Sequence, residues 1–375
     1  MKQQSSYGTN SNANNRETDI TSGTDIIVCP AFCDMHVHFR EPGRPDKETI
    51  LTGCHSAAAG GYTCVCPMPN LSPVPDSPET LEKELEIIRR DAYIDVIPYA
   101  SITIGRNGLE PVDIAALKDS VVAFSDDGSG VQSDAVLTRA MEKAAEENCI
   151  IASHCEDKRY GTAPEGEWMQ IERDLRIAGA VGCSFHVCHV STARSVDAIR
   201  RAKDRGVDVT CETAPHYLAL SERNVRDEGR FRMNPPIRTE EDRKALLEAL
   251  ADGTIDMVAT DHAPHTAEEK SRGFADSVMG VVGLETAFPV LYTVLVKEGI
   301  ISLDKLIELM SIAPRRRFRL PVRENDIVRI DLSAQWTIDS SKFRTMGRST
   351  PFEGMCVTGS IVETVYKGKT IYYVK

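Results

Sequence analysis

Short apolar segments alternate with longer amphipathic segments along most of the chain, beginning near Asp25. Compact runs rich in β-branched and aromatic residues are typical of buried strands, whereas apolar residues spaced three and four apart are typical of helices. Eight strands are predicted, at residues 34–39, 62–68, 95–103, 120–126, 149–155, 183–190, 208–213 and 255–260. Helices are predicted between them at 46–59, 79–91, 133–147, 167–181, 192–205 and 239–251, and Ser133, Thr192 and Thr239 are predicted as N-caps of three of them. This alternation indicates parallel strands joined by helical crossovers.

The number of repeats predicts the architecture, because eight strand-helix units close a parallel barrel. We therefore expect a (β/α)8 TIM barrel over residues 23–322. From residue 323 to 375 the pattern becomes hairpin-like, with a turn at Lys367-Gly368, and predicts a small β appendage formed mainly by the C-terminus. Residues 1–22 are polar and rich in Asn and Ser, which predicts a disordered tail.

The overall charge limits the classes of partner. A formal net charge of −12 and a pI near 5.3 argue against nucleic acid and anionic membranes, both of which select a basic surface. The 11 cysteines fall mostly inside apolar strand-like runs, which indicates buried thiols in a reducing cytoplasm. No run of about 18 apolar residues predicts a membrane span. We therefore expect a cytoplasmic protein without a nucleic-acid or membrane partner.

Polar residues able to bind a metal end or follow five of the predicted strands. The carboxyl ends of barrel strands open onto one face, where this fold builds its active sites, so these side chains are expected to converge. His36 and His38 are two residues apart on one strand, and both rings therefore point to the same side. An isolated histidine is more often structural, but six such residues at matching positions are poorly explained by chance. The six candidates are His36, His38, Asp127, His154, His189 and Asp261.

These nitrogen and oxygen donors suit catalytic zinc, with one coordination position left for water. Two ions need a shared anion, and the FSDDG segment offers Asp127, although Asp126 is an equally good candidate by sequence. Two ions beside one water would lower its pKa and leave a hydroxide nucleophile at neutral pH. Strand alternation turns Cys155 and Cys188 to the opposite face, so both are expected to be packing residues. Three further histidines are predicted to have structural or supporting roles: His186, His216 and His262.

A family resemblance rests on these motifs taken together. The chain resembles dihydroorotases with an aspartate bridge, within the amidohydrolase superfamily, from about residue 26 to the C-terminus. The motifs are DMHVHFREPG at 34–43, MPN at 68–70, FSDDG at 124–128, SHCED at 153–157, HVCHVST at 186–192, MNPPIR at 233–238, ATDHAPH at 259–265 and TPFEG at 350–354. Members of the family usually begin with an apolar β segment, and here the equivalent stretch is the polar tail.

The resemblance implies that the barrel is of the metal-dependent hydrolase type, and it also implies a ligand set, an activity and a place in metabolism. His36, His38 and Asp261 would hold one Zn²⁺, and His154 and His189 a second, with Asp127 shared. The activity would be reversible hydrolysis of (S)-dihydroorotate to N-carbamoyl-L-aspartate in de novo pyrimidine (UMP) biosynthesis, by a metal-activated hydroxide with Asp261 as acid and base. The positions that would contact substrate are His38, Arg40, Asn70, Asn234, His265, Met279 and Gly280. The Arg40 guanidinium also suits a carboxylate on chemical grounds, because its planar fork pairs with two oxygens.

Two rival functions are considered. Allantoinases and dihydropyrimidinases typically bridge their metals with a carboxylated lysine on the fourth strand, whereas this chain has FSDDG there. A catalytically silent relative that serves as a scaffold for aspartate transcarbamoylase is expected to lose ligands, and all six are present. The sequence leaves open whether the chain associates with itself or with aspartate transcarbamoylase.

Overall fold

A closed ring of parallel strands forms the larger part of the molecule in the computed structural model, which describes residues 25–374. Strands β2 to β4 form one sheet and strands β5 to β8 another. These strands are β2 (Phe32–Val37), β3 (Tyr62–Pro67), β4 (Asp95–Val96), β5 (Ile150–Ser153), β6 (Ser184–Val187), β7 (Val209–Thr213) and β8 (Met257–Val258). The two sheets join at Phe124, which bridges to Ala100 and Ile151, and the ring closes where Val37 bridges to His262. The predicted TIM barrel is confirmed.

Two predicted strands are much shorter than expected. The segment predicted at 95–103 is a strand only at Asp95–Val96, because Pro98 has no N–H for the ladder. The segment predicted at 120–126 pairs through single bridges at Phe124 and then turns, with Ser129 N–H donating to the Asp126 carbonyl at 3.0 Å. Both segments keep their places in the barrel, but extended chain replaces most of each predicted strand and leads to the carboxyl ends of the ring.

Helices cover the outside of the ring, each lying between consecutive strands. Ser133, Thr192 and Thr239 were predicted as N-caps, and each side chain accepts a hydrogen bond from the backbone N–H three residues later. The longer helices are α1 (Ile50–Ala59), α2 (Pro78–Asp91), α4 (Asp134–Glu146), α5 (Pro164–Val181), α6 (Ala193–Asp204) and α8 (Glu240–Asp252). The shorter helices are α3 (Ile114–Leu117), α7 (Pro215–Ala219), α9 (Ala267–Lys270), α10 (Gly273–Asp276), α11 (Ala287–Leu291), α12 (Leu303–Ile307) and α13 (Ala313–Arg317). Wide π turns extend α11 to Val296 and join α12 to α13.

A four-stranded antiparallel sheet lies beside the barrel, with its strands in the order β1, β9, β10, β11. Its strands are β1 (Ile26–Pro30), β9 (Ile327–Thr337), β10 (Cys356–Tyr366) and β11 (Lys369–Tyr373). The boundary predicted at residue 23 assigns Ile26–Pro30 to the barrel, whereas this strand pairs with β9, with Ile26 opposite Asp331. The apolar segment IIVCP therefore supplies the N-terminal strand that the polar tail seemed to lack. The predicted tail at residues 1–22 lies outside the described residues.

The core has two layers because strand side chains alternate between the two faces of the barrel. Outward-facing residues such as Val65 and Phe185 pack against the helices, and inward-facing residues such as Met35 and Tyr99 fill the barrel together with Phe318. Within residues 25–374 no helix combines the length and the apolarity that a membrane span requires.

Candidate metal and active site

The six candidate ligands converge at the carboxyl ends of the strands, and none is more than 6% exposed. The ring nitrogen Nε2 of His36 lies 3.3 Å from Oδ1 of Asp127 and 3.5 Å from Oδ1 of Asp261. Nε2 of His38 lies 3.1 Å from Oδ1 of Asp261 and 3.5 Å from Oδ2 of Asp127. Two carboxylates and two imidazoles therefore surround one point.

A second group of nitrogens faces the other side of Asp127. Nδ1 of His154 lies 2.8 Å from Nε2 of His189, and these atoms lie 3.8 and 3.7 Å from Oδ1 of Asp127. The rings of His36 and His189 are 5.1 Å apart between centroids, so the two groups are adjacent. Asp127 lies between them, in the position that a shared ligand requires.

The donor set fits a metal because buried atoms at its centre lack partners. His36 Nε2 and Asp127 Oδ1 are buried and have no hydrogen-bond partner among the described residues. Leaving such an atom unsatisfied costs about 1–3 kcal/mol each, and native proteins rarely do so without a ligand. Imidazole nitrogens and carboxylate oxygens at these separations suit zinc and related divalent cations.

The electrostatics also favour a cation at this point. Burial acts to raise the pKa of Asp127, but the neighbouring imidazoles outweigh it and hold that pKa well below its usual range. Burial opposes ionisation of Asp261 in the same way, and its hydrogen bond with His38 again keeps the pKa low. Burial acts to lower the pKa of His36, yet the Asp127 carboxylate raises it well above the ordinary value. Both carboxylates are thus held ionised, and the centre attracts positive charge.

The outer nitrogens of the first two histidines are held by other side chains. His36 Nδ1 lies 2.8 Å from Oε1 of Glu212, and His38 Nδ1 lies 2.9 Å from Oδ1 of Asn70. A proton shared with these oxygens sits on Nδ1, so each Nε2 could bind a cation at the centre, and His36 would release its second proton on doing so. Asn70, predicted as a substrate contact, therefore also orients a candidate ligand.

Glu212 is a buried residue of the candidate site that the sequence reasoning missed. Its second oxygen lies 3.3 Å from Nε2 of His186, whose Nδ1 contacts Oγ1 of Thr210 at 2.9 Å. Burial would raise the pKa of Glu212, but hydrogen bonds from His186 and His36 lower it to about 2. An acidic residue inside the apolar strand segment VTCET was the available signal. His186 is accordingly an outer partner of the ligand set.

The contacts of the two aspartates in FSDDG decide which of them faces the histidines. Asp126 Oδ1 accepts from the backbone N–H groups of Ile102 and Thr103 at 2.8 and 3.1 Å, and Oδ2 accepts from the Thr103 hydroxyl. Its carboxylate is therefore occupied by the neighbouring loop. Asp127 is the aspartate that faces the histidines.

The expected orientation of Cys188 is wrong. Its sulfur lies within 4.8 Å of a His36 ring nitrogen and a Glu212 oxygen instead of facing away. Regular alternation ends with β6 at Val187, and His189 has a left-handed backbone with φ of 34°. Burial raises the pKa of Cys188 to about 12, so the thiol keeps its proton and packs beside the site.

Left-handed backbone recurs at another candidate ligand, Asp261, whose φ is 49°. Residues other than glycine adopt this conformation at a cost of about 1–3 kcal/mol, and it is retained where function needs it. At both His189 and Asp261 the chain turns sharply as it leaves a strand. The turn directs the side chain into the mouth of the barrel.

A cavity of about 250 Å³ opens beside the candidate ligands. All seven predicted substrate contacts line it: His38, Arg40, Asn70, Asn234, His265, Met279 and Gly280. Burial lowers the pKa of Arg40 to about 10, which leaves it cationic at neutral pH. Its Nε donates to the Pro264 carbonyl at 3.3 Å, and Asp127, His154, His189 and Asp261 line the same cavity.

Glycine is required at 280 because its φ is 133° and an added Cβ would lie 2.8 Å from His265 Nε2 and from the Ala263 carbonyl oxygen. Its N–H donates to the Arg232 carbonyl at 2.9 Å, and its own carbonyl accepts from Lys270 Nζ at 2.7 Å. The Gly280 amide proton is therefore already used within the protein. Lys270 also binds the carbonyls of Arg232 and Val278, and so holds two walls of the cavity together.

Asn234 lies on the wall near the second histidine group. Its Nδ2 donates to Oε2 of Glu156 at 2.6 Å, and that oxygen lies 3.6 Å from Nε2 of His154. The neighbouring His154 ring is the main cause that lowers the pKa of Glu156 to about 2. Glu156 was not singled out by sequence, although its position in SHCED, two residues after a candidate ligand, was a usable signal.

His262 and His216 lie behind the site. His262 Nδ1 accepts from the backbone N–H groups of Gly283 and Leu284 at 3.2 and 3.4 Å, so its proton lies on Nε2 and faces Thr345 and Glu48. Burial lowers the pKa of His216 to about 4, and the ring packs edge-on against Tyr217. Both positions agree with a structural role.

Comparison with known proteins gives concordant results. The family described as Dihydro-orotase-like matches residues 25–195. A dihydroorotase from Listeria innocua is 45% identical over 385 residues, covering 94% of this chain and 90% of that protein. A dihydroorotase from Fusobacterium nucleatum is 46% identical over 371 residues, covering 92% and 87%. Among solved structures, an L-hydantoinase (dihydropyrimidinase) from Arthrobacter aurescens superposes with a TM-score of 0.84 at 27% identity, covering 92% of this chain and 85% of that one.

Proposed function

The chain belongs to the dihydroorotase family, and we propose that its cavity hydrolyses the cyclic amide of (S)-dihydroorotate reversibly to N-carbamoyl-L-aspartate, a step of de novo pyrimidine biosynthesis. One observation carries this proposal. The guanidinium of Arg40 and five of the six candidate ligands, all except His36, line the same 250 Å³ cavity. A ring that bears a carboxylate next to a cyclic amide would engage both.

The substrate carboxylate would bind at the Arg40 side of the cavity. Arg40 is partly buried and cationic, and its NH2 group lies 3.4 Å from His265 Nε2. An arginine fork pairs with a carboxylate through two parallel hydrogen bonds, which fixes orientation as well as affinity. Asn70 and Asn234 would add amide donors on either side. The ring amide is then directed toward the metal ligands.

Two divalent cations, which we propose to be zinc, would be held by these side chains. His36, His38 and Asp261 would bind one ion and His154 and His189 the other, with Asp127 shared. Bound there, the ions would polarise an amide carbonyl and make water nucleophilic at neutral pH. Glu212, Asn70 and Glu156 would hold the histidine rings in place.

Asp261 is proposed as the acid and base. Its depressed pKa leaves the carboxylate ionised in the resting enzyme, ready to take a proton from the attacking water. The same oxygen would return that proton to the ring nitrogen that leaves when the amide bond breaks. In reverse, Asp261 would remove a proton from the carbamoyl nitrogen as the ring closes.

The ring carboxylate distinguishes dihydroorotate from the cyclic amides that the rival enzymes hydrolyse. Hydantoins, dihydropyrimidines and allantoin lack a ring carboxylate, so the partly buried guanidinium of Arg40 would be left without an anionic partner in their complexes. The bridging position is also an aspartate here, instead of the lysine expected for those enzymes. A silent scaffold is disfavoured because the six candidate ligands remain together.

The proposal is tested by offering dihydroorotate, allantoin and dihydrouracil side by side to the metal-loaded chain. We expect turnover of dihydroorotate at a kcat/KM at least about 100-fold above the others, the discrimination that one unpaired buried charge supports. Preferential turnover of allantoin or dihydrouracil would overturn it.

A cytoplasmic location is also proposed, and the free thiols of all eleven cysteines in the described part of the chain support it.

A further inference from the structure

The imidazole of His265 lies between two cations. Its Nδ1 is 3.0 Å from Nζ of Lys47, and its Nε2 is 3.4 Å from NH2 of Arg40. Ammonium and guanidinium groups only donate hydrogen bonds, and a neutral imidazole has one accepting nitrogen. The ring can therefore satisfy one of the two cations and must present a proton toward the other. Burial lowers the pKa of His265 to about 3, so the ring is neutral at physiological pH.

The geometry selects Lys47 as the donor that is satisfied. Its contact is the shorter of the two, and 3.0 Å is an ordinary hydrogen-bond length, whereas 3.4 Å is long. Lys47 is 8% exposed, and Oε1 of Glu269 holds its ammonium at 2.9 Å. Arg40 instead has the Pro264 carbonyl for its Nε. The lone pair of Nδ1 thus faces Lys47, and the ring proton lies on Nε2.

Glu269 is too distant to reverse this assignment. Its Oε2 lies 3.5 Å from His265 Nδ1, beyond a normal hydrogen bond, and accepts from the Thr266 backbone N–H at 3.1 Å. Its contribution is to hold Lys47 against the ring.

We propose that Lys47 is a positioning residue that fixes His265 in the Nε2–H tautomer, so that His265 and Arg40 present two converging donors to one substrate carboxylate. The identity of that carboxylate rests on the proposed function, whereas the tautomer is a property of the chain itself. Two donors 3.4 Å apart cannot bond to each other, and an anionic oxygen between them satisfies both.

Loss of Lys47 would have a specific consequence. The ring proton could then move to Nδ1, facing the Glu269 carboxylate, and Nε2 would become an acceptor for Arg40. Arg40 and His265 would bond to each other, and the donor pair would be closed to the substrate. Removal of a cation 3.0 Å behind the ring would therefore weaken binding on the other side of the ring.

The tautomer can be measured directly by ¹⁵N NMR of the histidine rings in the metal-loaded full chain, with the His265 signals identified by comparison with His265→Gln. We expect a protonated Nε2 and an unprotonated Nδ1 in the wild type. Lys47→Met should move the proton to Nδ1, and Lys47→Arg, which keeps a donor, should leave it on Nε2. Lys203→Met is the control, because Lys203 is equally engaged with Asp256 but lies at the opposite end of the barrel.

Kinetics provides the second measurement. Lys47→Met should raise KM for dihydroorotate about tenfold, the value of one charge-assisted hydrogen bond, with a much smaller change in kcat, and Lys47→Arg should restore most of the loss. A wild-type ring protonated at Nδ1 would overturn the proposal without any variant. An unchanged tautomer in folded Lys47→Met would also overturn it. A wild-type chain inert toward dihydroorotate would refute the proposed function and leave the tautomer result interpretable.

Discussion

Nε2 of His36 lies 3.3 Å from Oδ1 of Asp127, and neither buried atom has a hydrogen-bond partner in the described part of the chain. Both atoms face the point that the other candidate ligands also face. Such a pair is costly in an empty site and is satisfied by a cation that both atoms bind. The proposed metal centre depends on this relationship.

The two neighbouring aspartates provide a matched test. Asp127→Asn removes the charge that would be shared between the two ions, so bound metal should fall below one equivalent per chain. Asp126→Asn should retain its metal, because that carboxylate binds the backbone of Ile102 and Thr103 instead. Elemental analysis after exhaustive dialysis measures the bound metal of both variants. Equal metal content in the two variants would contradict the assignment of Asp127.

Asp261→Asn should reduce kcat for dihydroorotate by about 10²–10⁴, the usual contribution of a general acid and base. In the wild type, Oδ1 of Asp261 lies 3.1 Å from Nε2 of His38. The asparagine side chain keeps an oxygen at this position, so most of the metal should remain. Thermal unfolding and metal content of the variant should be compared with the wild type. Activity close to that of the wild type would exclude proton transfer by Asp261.

Arg40→Met should raise KM for dihydroorotate about 10- to 100-fold, because a hydrogen bond to a charged group contributes about 1.5–3 kcal/mol. The control is Arg201→Met, because Arg201 is half-exposed and pairs with Glu172 on the outer helices, away from the cavity. Steady-state kinetics of both variants gives the comparison. An unchanged KM in Arg40→Met would refute the carboxylate assignment.

Glu212→Gln should weaken metal binding or activity about 10- to 100-fold, since the partner that orients His36 loses its charge. Glu84→Gln is the control at an equally buried glutamate that does not contact the site. Competition with a chromogenic chelator measures the metal affinity of both. A similar loss in the two variants would indicate a general effect on folding and not a role for Glu212.

Glu84 itself predicts a pH-dependent stability. Neither carboxylate oxygen has a hydrogen-bond partner among the described residues, and burial raises its pKa well above the ordinary value. The folded state therefore keeps the proton while the unfolded state releases it above pH 4.5, so folded stability is lost as pH rises toward the folded-state pKa. Glu84→Gln removes this dependence. Its advantage over the wild type in urea unfolding should grow from pH 5 to pH 8, by at most about 1.4 kcal/mol for each pH unit. An advantage that does not change with pH would contradict the argument.

The convergence of the candidate ligands could be predicted because it follows from periodicity alone. Once strands and helices alternate, topology places the ends of all strands on one face, whatever their separation in sequence. His36 and Asp261 are 225 positions apart along the chain, and their side chains lie 3.5 Å apart. The N-caps Ser133, Thr192 and Thr239 could also be predicted, because capping depends on residues that are close in sequence.

The remaining features depend on contacts that periodicity does not encode. Glu212 and Glu156 matter because each meets a particular histidine ring from another strand or loop. The choice of Asp127 over Asp126 depends on the loop at Ile102 and Thr103. The orientation of Cys188 was mispredicted because alternation was counted back from His189, whose left-handed backbone breaks the alternation that β6 follows. Side-chain partners of this kind become visible only when the elements are assembled.

The most direct test of the account is a Zn²⁺ titration of the metal-free chain with turnover of dihydroorotate as the readout. The account predicts no activity without metal, and a rise that saturates near two equivalents in the wild type but not in Asp127→Asn. Full activity in a chain shown to be free of metal, or none in a folded chain carrying two equivalents, would contradict it.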